Sequence, residues 1–251
     1  MRRLMIASLI SFFSLVVWAQ QPRWQWPEKL QNSSVLPKTI TSRELQQTMF
    51  SFTRGLGIRC THCHVGEEGK DFSTYDFASD ARPAKNKART MIKMMQEVNG
   101  KFLSEVSSNL GGSAKVGCVN CHRGIPVPIT LEERLKMTYD AAGLDSTLRH
   151  YKSLREQYYG GASYDFKEGA LVRLGDRILT DSTKANDAVA VIKMNIELYP
   201  NFAFSYVHLA SWYETWKQIP TAIEYYQKAI AVAPTNEQIQ RQLDRLQAIK
   251  K

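Results

Sequence analysis

All four cysteines of the 251-residue chain stand in two short strings, Cys60-Thr-His-Cys63-His64 and Cys118-Val-Asn-Cys121-His122. Each string is C-x-x-C-H, the sequence form of c-type haem attachment. Two thiols three positions apart can each add to one vinyl group of the same porphyrin. The residue that follows then presents an imidazole to the iron from beneath the ring. A lone C-x-x-C also reads as a redox dithiol or half a zinc site. Two copies, each followed by His and leaving no cysteine over, point to two covalently bound haem c groups.

The competing chemistries fit less well. A four-cysteine zinc site pairs its knuckles about 15–20 residues apart, whereas Cys63 and Cys118 lie several times farther apart, and zinc gives no reason for a His after both pairs. A thioredoxin-type dithiol calls for a βαβ setting, and the flanking sequence is helical in pattern. Two structural disulfides are conceivable in an exported chain, but a loop closed by two residues is strained.

Each iron then needs a sixth ligand or an open face. Beyond His64 and His122 the chain has only His62, His150 and His208. The first lies inside a motif and the others far along the chain. Methionine is plentiful nearby, and its soft thioether suits haem iron. Met49 precedes the first motif, and Met91, Met94 and Met95 precede the second. The competing use of such residues is ordinary core packing.

The segments LQQTMFSFTRGLGIRCTHCH, ARTMIKMMQEVNGKF and VGCVNCHRGIPVP resemble the cytochrome c subunit of photosynthetic reaction centres. In that family a helix carries Met, a turn follows, and a C-x-x-C-H holds the haem along the helix. The resemblance implies Met49 as the ligand at the first haem. The family pattern A-R-x-M-x-x-M falls on Ala88, Arg89, Met91 and Met94, implying Met91 at the second haem with Met94 as runner-up. The run C-x-x-C-H-R-G-x-P corresponds to Cys118 through Pro126. Departures are also visible. The family subunit carries four haems and this chain has motifs for two. The loop between Met91 and Cys118 is longer, and Glu105 stands where the family places a histidine for another haem.

The elements that must position these groups read as all-α. Thr41-Ser-Arg-Glu44 has capping-box form and opens a helix with Leu45, Met49 and Phe52 on one face, broken at Gly55-Leu-Gly57. Pro83 suits a helix N-terminus, and 81–106 reads as one long helix, broken at Asn109-Leu-Gly-Gly-Ser113. The order helix, turn, C-x-x-C-H thus occurs twice. Thr130-Leu-Glu-Glu133 opens another helix, and Asp145–Tyr159 is amphipathic up to Gly160-Gly161. Ahead of the first helix, 20–40 is an irregular, proline-bearing leader whose Trp24 and Trp26 are expected to pack.

The C-terminal part has an internal repeat. Residues 203–234 follow the tetratricopeptide pattern at Tyr206, Leu209, Ala210, Tyr213, Ala222, Tyr226, Ala229 and Pro234. A looser copy precedes it through Leu174-Gly175, Ala188, Ile192 and Pro200, and 236–249 makes a polar capping helix. This half resembles the tetratricopeptide tails of several exported bacterial enzymes, which implies protein contact. The expected layout is a signal peptide at 1–19, the leader at 20–40, a dihaem domain at 41–128, a helical connector at 129–165, and repeats with a cap at 166–251.

Arg2 and Arg3, the apolar run Met5–Trp18 and Val17-Trp18-Ala19 have the form of a secretory signal, too short for a comfortable span of about 20 residues. Cleavage after Ala19 predicts an exported, periplasmic protein; an uncleaved segment would tether it to the membrane. Loss of the two arginines reduces the formal charge of +9 by two, leaving a modestly basic surface suited to acidic partners. No basic stripe interleaved with aromatics suggests nucleic-acid binding. Arg59, Lys115 and Arg123 adjoin the motifs and are candidates to pair with haem propionates. The expected function is a dihaem electron carrier, not an enzyme, working between donor and acceptor proteins. The alternatives are a peroxidase-type haem enzyme with one open iron site and a redox-sensing interaction module.

Overall fold

A computed structural model of the protein describes residues 24–107 and 114–249. The expected signal segment and the Asn109–Ser113 breaker lie outside the described residues. All regular elements among the described residues are helical, with one isolated antiparallel bridge between Val65 and Asp76. None of these helices is long and apolar enough to cross a membrane. Contacts divide the described chain into two compact units, 24–50 with 59–106, and 51–58 with the residues from 107 onward.

Helix α1 (Ser42–Leu56), of which residues 42–50 belong to the first unit, begins at the predicted capping box. The Thr41 hydroxyl accepts from the Glu44 amide at 3.3 Å, and the Glu44 carboxylate accepts from the Thr41 amide at 2.8 Å. These bonds satisfy amides that the first turn would otherwise leave without partners. Helix α2 (Pro83–Glu97) starts with proline in its first turn. The long helix expected over 81–106 is interrupted: a π-turn, Val98–Phe102, inserts one extra residue before α3 (Leu103–Ser107). Asn99 and Gly100 are weak helix formers, so the regular ladder yields there. Among the described residues of this unit only Leu45 and Ile92 are fully buried aliphatics. Its interior is instead an aromatic cluster contributed partly by the leader. Trp24 sits 4.9 Å from Trp26, 5.2 Å from Phe72 and 5.6 Å from Phe77, and Trp26 reaches Phe50 at 5.8 Å between ring centroids.

The second unit holds the short helix α4 (Cys118–His122) and the long helix α5 (Leu131–Tyr158). The Thr130–Glu133 capping box forms as expected. Gly143, at φ 74°, kinks α5 into two segments, matching the two helical patterns read on either side of it. Helices α6 (Ala170–Leu179) and α7 (Ala185–Leu198) pack as a pair, as do α8 (Ala203–Thr215) and α9 (Ile219–Val232), with α10 (Glu237–Ile249) against α9. Small residues permit the close approach. Ala188, Ala210, Ala222 and Ala229 are fully buried, and a Cβ on Gly175 would stand 3.0 Å from Ile192 and 3.2 Å from Trp212. Leu131, Leu135, Tyr151, Leu171, Leu174 and Val191 form one continuous core from α5 to α7.

Candidate haem-attachment sites

The first motif is a single tight turn. Arg59 is extended, Cys60–His62 is a 3₁₀ turn, and the amides of Cys63 and His64 both donate to the Cys60 carbonyl, at 3.2 and 2.9 Å. Both thiols are free and half-buried. Burial, reinforced by the neighbouring Cys60, pushes the Cys63 thiol pKa up, so this sulfur keeps its proton at neutral pH. The loop beyond folds back on the motif. The Asp76 amide donates to the Val65 carbonyl at 2.9 Å, and the Tyr75 hydroxyl donates to the Glu67 carbonyl at 2.7 Å. This return lays the Phe77 ring edge-on against His64, centroids 5.1 Å apart.

His64 Nδ1 is buried without a hydrogen-bond partner in range. Burial first, then the positive charge of Lys85, depress the pKa of this imidazole, outweighing the opposing backbone of Phe77. The ring is therefore held neutral, the form that can ligate a metal. His62, one turn position earlier, is exposed.

The second motif is a full helical turn, so Cys118 and Cys121 share a face at i, i+3. Burial raises the Cys118 thiol pKa, while Cys121 is exposed. After His122 the chain reverses through two left-handed residues, Arg123 at φ 50° and Gly124 at φ 84°. The turn brings the Ile125 carbonyl to 3.0 Å from His122 Nδ1. A carbonyl can only accept, so Nδ1 carries a proton, and of the two neutral tautomers this bond selects the one whose Nε2 has the lone pair. A metal-binding histidine usually donates its other ring N–H to a carbonyl or carboxylate in this way. The turn is braced by Ser163, whose hydroxyl donates to the Arg123 carbonyl at 2.7 Å. It is braced again by Gly124, whose amide donates to the Gly55 carbonyl at 2.9 Å. Near that bond Gly57, at φ 63°, lies so close that a Cβ there would stand 2.0 Å from the Gly124 oxygen.

Met49 is half-buried on α1 in the first unit. Met91 and Met94 lie on α2 in the same unit, 44% and 49% exposed, on the side away from buried Ile92. With Phe102 and Val106 they leave an apolar stripe uncovered by protein among the described residues. Cys118, Cys121 and His122 belong to the second unit. Arg59 pairs with Glu68 at 2.7 Å, while Lys115 and Arg123 are exposed. His150 meets the Thr138 hydroxyl at 2.7 Å, and His208 meets Asp176 at 3.0 Å.

These features fit covalent haem on several independent grounds. The thiols are paired on one turn, and both motif histidines are oriented or desolvated as neutral ligands. Among its described residues the first unit also has few buried aliphatics, Leu45 and Ile92, and a large apolar macrocycle would complete such a core. Sequence reading missed the contributions of Phe77, Lys85 and the Ile125 carbonyl. Only the last left a signal, the Arg-Gly pair after His122, which permits the reversal.

A model of the photosynthetic reaction centre cytochrome C subunit family matches residues 19–153. Over 115 residues the chain is 24% identical to the photosynthetic reaction center cytochrome c subunit of Rubrivivax gelatinosus, an alignment covering 40% of this chain and 30% of that protein. Over 88 residues it is 30% identical to cytochrome c-554 of Chloroflexus aurantiacus, covering 35% of this chain and 19% of that protein. The chain therefore spans less than a third of the length of these curated relatives.

Proposed function

The chain belongs to the photosynthetic reaction centre cytochrome c subunit family, and from that premise we propose that it is a dihaem c-type cytochrome. It carries single electrons between donor and acceptor proteins outside the cytoplasmic membrane. The observation that carries this reading is His122, held by the Ile125 carbonyl in the tautomer that frees Nε2 for iron, one residue after a helical Cys pair.

Haem, when bound, supplies an iron that exchanges one electron while keeping its ligands. The chain supplies everything else. Cys60 with Cys63, and Cys118 with Cys121, would hold the two haems through thioethers, each thiol adding its sulfur and proton across one vinyl group. His64 and His122 would ligate the irons, with Met49 at the first haem and Met91 at the second as further ligands, Met94 being the alternative to Met91. Thioether ligation favours the ferrous state relative to bis-histidine ligation and so raises the potential. The aromatic cluster around His64, and the exposed apolar side chains of Met91 and Met94 if a haem covered them, would keep water from the iron and so reduce reorganisation on electron transfer.

The helix pairs α6–α7 and α8–α9 with the cap α10 support a tetratricopeptide-like reading of the C-terminal part, which would offer a protein-docking surface. The secretory-signal pattern of the N-terminal sequence supports export, as does the chemistry of c-type haem attachment. A redox titration with optical and spin-resonance readout tests the proposal. Two one-electron couples, both low-spin and six-coordinate with a thioether-to-iron band, support it. A high-spin ferric component would favour an open iron site and a haem enzyme instead.

A further inference from the structure

Lys85, in the first turn of α2, is the hub of the first site. Its side chain is 11% exposed. Its Nζ donates to three successive carbonyls, Phe77 and Ala78 at 3.0 Å and Ser79 at 2.8 Å, and pairs with Asp80 at 3.1 Å. An ammonium has three protons to donate, and here they converge on one loop. Arg89, one helical turn on, pairs with the same Asp80 at 2.9 Å and donates to the Asn32 carbonyl at 3.0 Å. Asn32 in turn donates to the Ala78 carbonyl. The loop is therefore fixed from two sides, and its first clamped residue is Phe77, the ring that lies against His64.

The arrangement also has an electrostatic consequence. Asp80 pairs with both cations, and Asp76 lies in the same loop, its carboxylate accepting from the Ala78 and Ser79 amides at 3.0 and 2.9 Å. The two cations thus offset two carboxylates, and loss of Lys85 alone would leave an excess of negative charge beside the His64 pocket. Little water reaches Lys85 to screen it, and poorly hydrated charges act over longer distances than exposed ones.

We propose that Lys85 is a positioning residue with a second, electrostatic role: it clamps Phe77 against His64, and its ammonium raises the midpoint potential of the haem that His64 ligates. The inference rests on the assignment of His64 as an iron ligand. A fixed positive charge disfavours the ferric state, which carries one more positive charge than the ferrous. At an effective dielectric constant of about 20, a unit charge about 10 Å from any one-electron centre shifts its equilibrium by more than tenfold. Partial neutralisation by Asp80 and Asp76 would reduce this to roughly three- to tenfold, the upper end being about 59 mV for a one-electron couple.

The test compares Lys85→Met, Lys85→Gln and Lys85→Arg in the full-length dihaem protein. Each is measured by redox titration and by amide hydrogen exchange over 77–80. The same series in a Cys118→Ala/Cys121→Ala background, with only the first haem, assigns the couple. Loss of charge in Lys85→Met and Lys85→Gln is expected to lower the first potential by the stated factor and leave the second unchanged, while Lys85→Arg preserves both. Gln retains a donor for the loop, so it separates charge from clamping, and it substitutes for Met if that variant folds poorly. Unchanged potentials in Lys85→Gln, or an equal drop in Lys85→Arg, would overturn the proposal. Haem missing from Cys60 and Cys63 in the unsubstituted protein would instead overturn the assignment on which it rests.

Discussion

Replacing Gly57 by alanine probes the joint between the end of α1 and the second motif. At φ 63° the new side chain would occupy the left-handed region, at a cost of about 1–2 kcal/mol. Its Cβ would also stand 2.0 Å from the Gly124 oxygen and 2.8 Å from the Gly124 carbonyl carbon. Both are backbone atoms, so the turn after His122 must retreat by about 1 Å, more than a close-packed interior absorbs without loss. That movement breaks the 2.9 Å bond from the Gly124 amide to the Gly55 carbonyl, worth about 1 kcal/mol. The expected destabilisation is about 3 kcal/mol by denaturant unfolding. Gly69→Ala is the control, since Gly69 has φ 82° but nothing within 4 Å of its added Cβ; it should cost only the left-handed strain, about 1 kcal/mol. On the proposed dihaem assignment, the spectrum of the haem held at Cys118 and Cys121 should change in Gly57→Ala through the displaced Ile125 carbonyl. Equal destabilisation by the two substitutions, with unchanged spectra, would refute the close approach.

Three further outcomes follow from other contacts. Trp24→Ala removes the centre of the aromatic cluster and, because Trp24 is only half-buried, should cost about 2 kcal/mol, below the range for a fully buried Trp, as read by thermal unfolding. Arg173→Met leaves the buried Glu132 carboxylate without its ion-pair partner and should cost about 2 kcal/mol, largely recovered by adding Glu132→Gln. Thr130→Ala should cost about 1 kcal/mol at neutral pH. The Thr130 amide and hydroxyl hold the Glu133 pKa below its ordinary 4.5. The folded state thus binds this proton less readily than the unfolded chain, so the contribution is full above about pH 4.5 and disappears as pH falls through the lowered value. The difference between wild type and Thr130→Ala should therefore narrow in acid without vanishing, because the Glu133 amide still donates to the Thr130 hydroxyl; a difference unchanged with pH would show that the hydroxyl's bond to the Glu133 carboxylate contributes nothing to the cap.

The features legible in sequence were the local ones. Both capping boxes were readable because a Thr and a Glu three residues apart interact within one turn, whatever surrounds them. The paired C-x-x-C-H strings were readable because attachment chemistry fixes their spacing. The methionine stripe on α2 was visible as helical spacing, but one extra residue at Val98–Phe102 shifts the register beyond it, and periodicity over 81–106 concealed that insertion. Long-range features were illegible for a physical reason. The contact of Gly57 with Gly124 joins backbone atoms far apart in sequence, and nothing in either local string encodes it. The leader tryptophans were expected to pack, yet their partners Phe72 and Phe77 are set by a loop that folds back through the Val65–Asp76 bridge. Lys85 looked like one surface lysine among many, because its role depends on three carbonyls converging from that same loop.

The most direct test of the account is the mass of the full-length protein, purified from a cell able to attach c-type haem and then digested into peptides. Two covalent haems are predicted, one on the peptide containing Cys60 and Cys63 and one on the peptide containing Cys118 and Cys121. A protein with the mass of the bare polypeptide, or with all four cysteines recovered as free thiols, would contradict it.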